Sequence, residues 1–535
     1  MSKPTGILAP SDPGAWTRRE ATHLLWRAQF GASAPEIDRA HKEGLSRTLD
    51  RLLTPQPESE EFKTVEPLLR ETAYDTNNIK DLQAWWLYRM YYSANPHLEK
   101  LALFWHNHFA TSNGKVRSVP HMTAQNDLIR REALGSFRKM LHGMAKDVAM
   151  LIWLDSNANR KRHANENFAR EILELFTMGI GNYTEKDIRE AARAFTGWTN
   201  DSLKFVVNAE LHDEDVKTFL GQTGNFDGTE IVDIVMSHDS TARFITEKLY
   251  RYFVSADVPP QRIEHLATLL RASDYELKPL LKEMFIARDF YASHAFSSQI
   301  KSPVQLVLST YRKLGVTTLP GVPDFNEATA ALGQKLLYPP NVAGWEGGRS
   351  WITPATLVER GNFAKQVLFP DIGEYLSPDR ALTQIYRDVG EKLDRGLDIT
   401  SATVVGSVDG NNMSMMSSSD MMVAISDEEY NTRYGAYHGT IMAMRRVKPV
   451  PRVPAAVNLA SMVQDQNLVT VPAVVDYFQK RLLRVPLVKD HRNALVAFLS
   501  RELGTEDIGT ALSYLEEPLR MLVHLIMSAP EYQLS

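Results

Sequence analysis

Cysteine is absent from this sequence, which excludes disulfide bridges, cysteine-ligated zinc, iron–sulfur clusters and a thiol nucleophile. No stretch approaches the roughly 20 continuous apolar residues that a membrane-spanning helix needs. The opening residues, MSKPTGILAPSDPGAW, hold no apolar run behind a basic start, so no secretory signal is legible. The expectation is a cytoplasmic protein, or alternatively a periplasmic one co-exported with a partner. Positive charge is not in excess: the net charge is −5, which argues against a broad nucleic-acid-binding face. Long β-type alternation is scarce as well.

Helical periodicity fills most of the 535 residues. The expected fold is mainly α, a multi-helix globular body with few short strands and long loops. Helix patterns run over 79–93 and 97–109, then from Thr123 to Gly135, Asn165 to Gly179 and Thr184 to Gly197. Further patterns cover 241–255, 260–273, 276–289, 303–314 and 327–337, with three more at 471–484, 489–502 and 508–527. Lys204–Val207 is the best candidate strand. The segment YPPNVAGWEGGRSW at 338–351 must be a loop with aromatic anchors. Three parts are expected: a body over 1–399, a Ser/Met/Asp-rich insertion or linker over 400–454, and a C-terminal helical piece over 455–535 packing on the body.

Chemistry concentrates between Phe104 and Leu220. On a helix at about 100° per residue, Glu166, Arg170, Glu171 and Glu174 share one face of the 165–179 segment, opposite an apolar one. That face reads as a solvated run of Glu–Arg–Glu pairs or as a carboxylate cluster for a metal or for proton transfer. Upstream, His106 and His108 in FWHNHF fall about 200° apart if helical, so they cannot then share one ion. His108 aligns with Leu101 and Trp105, the position of a buried, hydrogen-bonded histidine. The letters H-N-H do not make a nuclease motif, which spreads over a ββα unit. Downstream, His212 and Asp213 sit side by side in a loop that suits a metal, a phosphate or a plain Asx turn. A mix of His106, His108, Glu166, His212 and Asp213 suits zinc, iron or manganese as a divalent cofactor. The methionines at 413, 415, 416, 421 and 422 would suit copper(I), but low complexity explains them. There is no G-x-S-x-G elbow, no P-loop and no G-x-G-x-x-G after a strand.

Seven segments carry a family resemblance: LLWRAQFGAS (24–33), LEKLALFWHNHFATS (98–112), ANENFAREILELFTMGIGNYTEKDIREAARAFTGW (164–198), HDEDVKTFLG (212–221), IKSPVQLV (300–307), YPPNVAGWEGGRSW (338–351) and LIMSAPEYQ (525–533). In this order they resemble the bacterial domain-of-unknown-function 1800 family. The resemblance implies weight on His106, Glu166, Arg170 and Glu171. It also implies a neighbouring gene of a second such family, number 1501, similar to sulfatases and alkaline phosphatases and bearing a twin-arginine signal.

Two functions follow as expectations. One is a metal-assisted, hydrolase-type enzyme, with His106 or His108, His212 and Glu166 or Asp213 on the ion, Glu171 as general base and Arg170 holding an anionic group. The other is a non-catalytic assembly or export partner of an alkaline-phosphatase- or sulfatase-like protein.

Overall fold

The computed structural model describes residues 16–321, 323–370 and 454–535. The insertion expected over 400–454 lies outside them, but for Pro454. Eighteen described α-helices precede residue 370. They are α1 (Arg18–Ala28), α2 (Ala34–Leu52), α3 (Glu60–Thr76), α4 (Ile79–Tyr92), α5 (Pro96–His108) and α6 (Asn113–Val116). Next come α7 (Val119–Glu132), α8 (Phe137–Ala145), α9 (Val148–Trp153), α10 (Asn167–Glu174), α11 (Glu185–Ala194) and α12 (Gly228–Ser237). The rest are α13 (Asp239–Phe253), α14 (Pro260–Ala272), α15 (Leu277–Ile286), α16 (Pro303–Lys313), α17 (Phe325–Ala331) and α18 (Pro354–Leu368). Five helices follow, Leu459–Asp465, Val471–Leu482, Lys489–Leu503, Ile508–Ala511 and Glu516–Ser528. Among the described residues, strands are confined to two antiparallel hairpins, β1 (Trp198–Asp201) with β2 (Lys204–Val207) and β3 (Lys217–Phe219) with β4 (Gln222–Gly224). The mainly α expectation holds. One connected apolar core joins α1 to the C-terminal helices.

Local chemistry explains where the boundaries differ from the sequence reading. α7 starts before Thr123 because Ser118 caps it and Pro120 occupies its first turn. α10 is shorter than 165–179: the Phe176 and Met178 amides bond back five residues, to Glu171 and Leu173, and Gly179 adopts φ 76. The 508–527 pattern breaks in two, because Pro518 is tolerated only in a first turn and the helix restarts at Glu516.

Every α-helix ends with carbonyls that lack an intrahelical partner. Here buried cations from elsewhere in the chain supply many of them. Arg27 donates to the α13 end through Val254 O at 3.0 Å and to Ala295 O at 2.6 Å. Lys100 closes the α1 end through Arg27 O at 2.7 Å and Gln29 O at 3.1 Å, with His97 donating to Ala28 O. Arg312 donates to Tyr91 O at 2.8 Å, beside the α4 end. Lys313, the last residue of α16, donates to Leu482 O at 2.8 Å, and Arg481 of that neighbouring helix returns a bond to Lys313 O at 2.6 Å. Each such bond spares a buried carbonyl the roughly 1–3 kcal/mol cost of going unsatisfied, and a guanidinium at a helix C-terminus also meets the favourable end of the dipole.

Two buried clusters stand apart. Glu99 of α5, fully buried, accepts from Arg89 of α4 at 3.0 Å, from Arg130 of α7 at 2.8 Å and from the Trp86 indole at 3.2 Å. Burial alone would raise its pKa, but Arg130 and Arg89 outweigh it and hold the carboxyl below its ordinary value. Removing one partner of such a buried network strands the other charges, so Glu99→Gln should destabilise the protein by about 3–5 kcal/mol. Urea denaturation reads this directly, and a loss under about 1 kcal/mol would show the network to be dispensable.

The second cluster is cationic. Lys301 and Lys313 are buried and share a hydrogen bond between their amines. Lys313 Nζ lies 3.4 Å from the Trp26 ring centroid and Lys301 Nζ 3.8 Å from that of Tyr532. Burial lowers both lysines below their ordinary value, and in Lys313 the neighbouring Lys301 adds to the effect. The folded pair therefore holds fewer protons than the unfolded pair, so its contribution to stability is greatest at high pH and falls as pH drops toward about 7, where Lys301 titrates. Lys313→Met should flatten the rise of stability between pH 7 and 10. Melting curves across that range measure it, and an unchanged slope would remove the pair as its source.

Candidate functional site

The helix α5 carries FWHNHF and ends at His108, with Phe109 as its cap residue. His106 and His108 therefore lie on different sides of it. His106 packs against the rings of Trp86 and Trp345, at 5.2 and 5.8 Å between centroids, and among the described residues its Nε2 has no hydrogen-bond partner. Burial lowers its pKa to about 4. His108 Nε2 donates to Phe176 O at 3.0 Å, which leaves Nδ1 as an acceptor for Lys248 Nζ at 3.3 Å. Lys248 also donates to Leu175 O at 3.0 Å, and burial lowers it to about 8. Burial, Lys248 and a smaller opposing bond to Phe176 leave His108 well below the ordinary histidine value.

Between the two histidines, Asn107 grips the tryptophan loop. Its Oδ1 accepts from Trp345 N at 2.6 Å and its Nδ2 donates to Trp345 O at 3.1 Å. Gly344 makes this approach possible, because a Cβ there would stand 2.4 Å from Asn107 O. Asn113 N donates to Leu337 O at 2.9 Å, tying the start of α6 to the same loop. Two motif-bearing segments, 98–112 and 338–351, thus meet.

The carboxylate helix α10 faces solvent on its charged side. Arg170 makes a two-pronged pair with Glu185 of α11, at 3.0 and 2.9 Å, and reaches Glu166 at 3.3 Å. The side chains of Arg170 and Glu166 are 36% and 37% exposed, so this is a screened surface cluster. Glu174 accepts from Tyr183 Oη at 2.9 Å. Glu171 is half-buried, and burial followed by the neighbouring Glu174 raises its pKa, with Arg170 opposing.

His212 and Asp213 follow the first hairpin. His212 Nδ1 donates to Thr196 O at 2.8 Å, and the Thr196 hydroxyl accepts from Asp213 N at 2.8 Å. The Asp213 carboxylate pairs with Arg193 of α11 at 2.8 and 3.1 Å, and Arg193 also holds Glu190. Burial would raise the Asp213 pKa, but the Arg193 hydrogen bonds bring it below the ordinary value.

The window therefore resolves into separate clusters. Arg170 joins Glu166, Thr196 joins His212 to Asp213, and His108 joins Lys248. No hydrogen bond or ion pair connects His106, His108 or His212 to Glu166, Glu171 or Asp213. Among the described residues no group of three His, Asp or Glu side chains is placed to hold a metal ion. Sequence reasoning missed Lys248, Arg193 and Asn107. Lys248 lies far along the chain with no motif spacing to betray it, whereas Asn107 stands inside FWHNHF between two histidines whose chemistry is the more conspicuous.

A helical body of this architecture, built around these motifs, defines an α-helical family fold. The chain belongs to the family described as "Protein of unknown function (DUF1800)", whose model matches residues 23–534. No curated protein and no solved structure matches it. Among the described residues no helix is long and apolar enough to cross a membrane.

The neutral state of the α5 histidines is testable. In imidazole-resolved NMR, the His106 and His108 resonances should stay fixed between pH 8 and 5.5, since burial keeps both below that range. Movement of either with a midpoint above 6 would mean that water or a counter-charge reaches the site.

Proposed function

We propose that this chain is an assembly protein, acting by docking another protein. The observation that carries the reading is the engagement of the window's polar side chains within the fold. His108 and His212 donate to backbone carbonyls, Asp213 pairs with Arg193, and Arg170 bridges two surface glutamates. A metal-assisted hydrolase would need several of these groups free and convergent.

A second feature supports docking. Ile180, Leu203, Val207 and Val216 are exposed large apolar residues within one stretch of the chain, Ile180 at 80% and Val216 at 62%. The β1–β2 hairpin adds unpaired strand edges, at which another chain can add a strand. The partner implied by the family resemblance is an alkaline-phosphatase- or sulfatase-like protein from a neighbouring gene. Such a partner with an export signal would also carry this chain to the periplasm.

A specific observation keeps catalysis as a second reading: Glu171 is half-buried, bears a raised pKa and makes no side-chain hydrogen bond among the described residues. Proton abstraction by Glu171 is the step it would serve.

Co-expression with the neighbouring gene's product, followed by affinity capture and gel filtration, tests the assembly reading. The two chains should co-elute, and Val207→Glu together with Val216→Glu should reduce recovery about tenfold or more. Elution of the two proteins apart at physiological salt would overturn it. A hydrolytic activity that Glu171→Gln abolishes would favour the second reading instead.

A further inference from the structure

A cleft of about 340 Å³ opens where the start of α4, the α6–α7 turn and Tyr338 meet. Its volume lies at the lower end of the range for small-molecule sites. Asn77, Asn78, Asn113, Arg117, Ser118 and Tyr338 provide its polar lining, and among the described residues no carboxylate contributes.

Hydrogen bonds already made around it determine what its walls offer. Asn77 Oδ1 accepts from Val119 N at 3.0 Å, Asn78 Oδ1 from Lys80 N at 3.0 Å and Asn113 Oδ1 from Ser118 N at 3.1 Å. All three amide oxygens are engaged by backbone, which fixes the orientation of each side chain. Asn113 Nδ2 donates to Tyr338 Oη at 3.2 Å, so the phenol accepts there and keeps its own proton to give. Ser118 is occupied with His121 Nδ1 at 2.7 Å. The helix starts contribute nothing further, since Asn78 and Ser118 cap them. What is left is a set of donors: the Asn77 and Asn78 amides, the Tyr338 hydroxyl and the exposed Arg117 guanidinium. Among the described residues Arg117 makes one bond, from Nε to Gly114 O at 3.3 Å. A second cation stands close by, with Lys335 Nζ 4.0 Å from the Tyr338 ring centroid.

We propose that this cleft binds an oxyanion, the carboxylate or phosphate group of a small ligand, on Arg117, Asn77, Asn78 and Tyr338. Side-chain donors beside a guanidinium and an ammonium complement a group that only accepts, and Arg117 can meet its oxygens in pairs. The site is independent of the assembly reading and shares no residue with the exposed apolar stretch.

Arg117 suits mutation because its φ is 51, a conformation that asparagine tolerates. Arg117→Asn should therefore fold normally, and thermal melting confirms it. Isothermal titration with inorganic phosphate and, separately, with acetate at constant ionic strength measures binding. One of the two should bind to the full-length protein, with Kd rising about tenfold or more in Arg117→Asn and severalfold in Tyr338→Phe. Phosphate alone binding identifies a phosphoryl ligand, and acetate alone a carboxylate ligand. Absence of heat from both anions, or affinity unchanged in folded Arg117→Asn, would overturn the proposal.

Discussion

The carbonyl ends of the helices set the terms for this fold. A helix that stops inside a protein leaves backbone oxygens that must find donors, and water is excluded from much of this interior. The chain solves the problem with long cationic side chains from distant elements. Arg27, Lys100, Lys313 and Arg481 each reach a helix end that is not their own. Buried lysine and arginine normally demand a carboxylate, and Glu99 meets that rule with Arg89 and Arg130. The cap-forming side chains instead use carbonyls, the negative ends of helix dipoles. Two lysines side by side, Lys301 and Lys313, are tolerated because one amine can accept where the other donates.

This arrangement recasts the motifs. Trp26 and Arg27 belong to the 24–33 segment, Lys301 to 300–307, and Tyr532 and Gln533 to 525–533. They meet around one buried cationic centre: Lys301 Nζ donates to Tyr532 O, while Arg360 ties Gln533 Oε1 at 3.0 Å to Lys301 O at 2.9 Å. The signature of the chain is in large part the signature of its interior. The central window follows the same logic, since Asn107 and Asn159 act as clamps between segments, Asn159 joining Ala192 O to Asn165 N.

The helices were legible because their apolar spacing and capping residues are local properties. Thr184 with Asp187 forms a capping box, and α4 and α16 begin at the residues their caps announce. Boundaries failed where a local signal was overridden, as at Gly179, where backbone bonds to Leu173 unwind α10 early. The candidate site was less legible for a physical reason. Periodicity states which residues share a face of one helix, so the solvent-facing side of α10 could be read. It does not state what another helix brings to that face. Glu185 reaching Arg170, Arg193 reaching Asp213 and Lys248 reaching His108 are facts of tertiary packing. The donor character of the Asn77 cleft was equally hidden, because it depends on which amide oxygens the backbone has claimed.

The span of the cap-forming bonds bears on how the chain comes to be folded. Arg27 reaches Ala295 across 268 residues of sequence, and Lys313 reaches Leu482 across 169. Contacts at such separation carry a large loop-closure entropy and form late. During synthesis, α1 emerges hundreds of residues before the groups that Arg27 is to satisfy, so its guanidinium must wait in water. Final compaction then belongs to the nearly finished polypeptide, and the early helices remain sticky, incompletely covered surfaces until the last segment arrives.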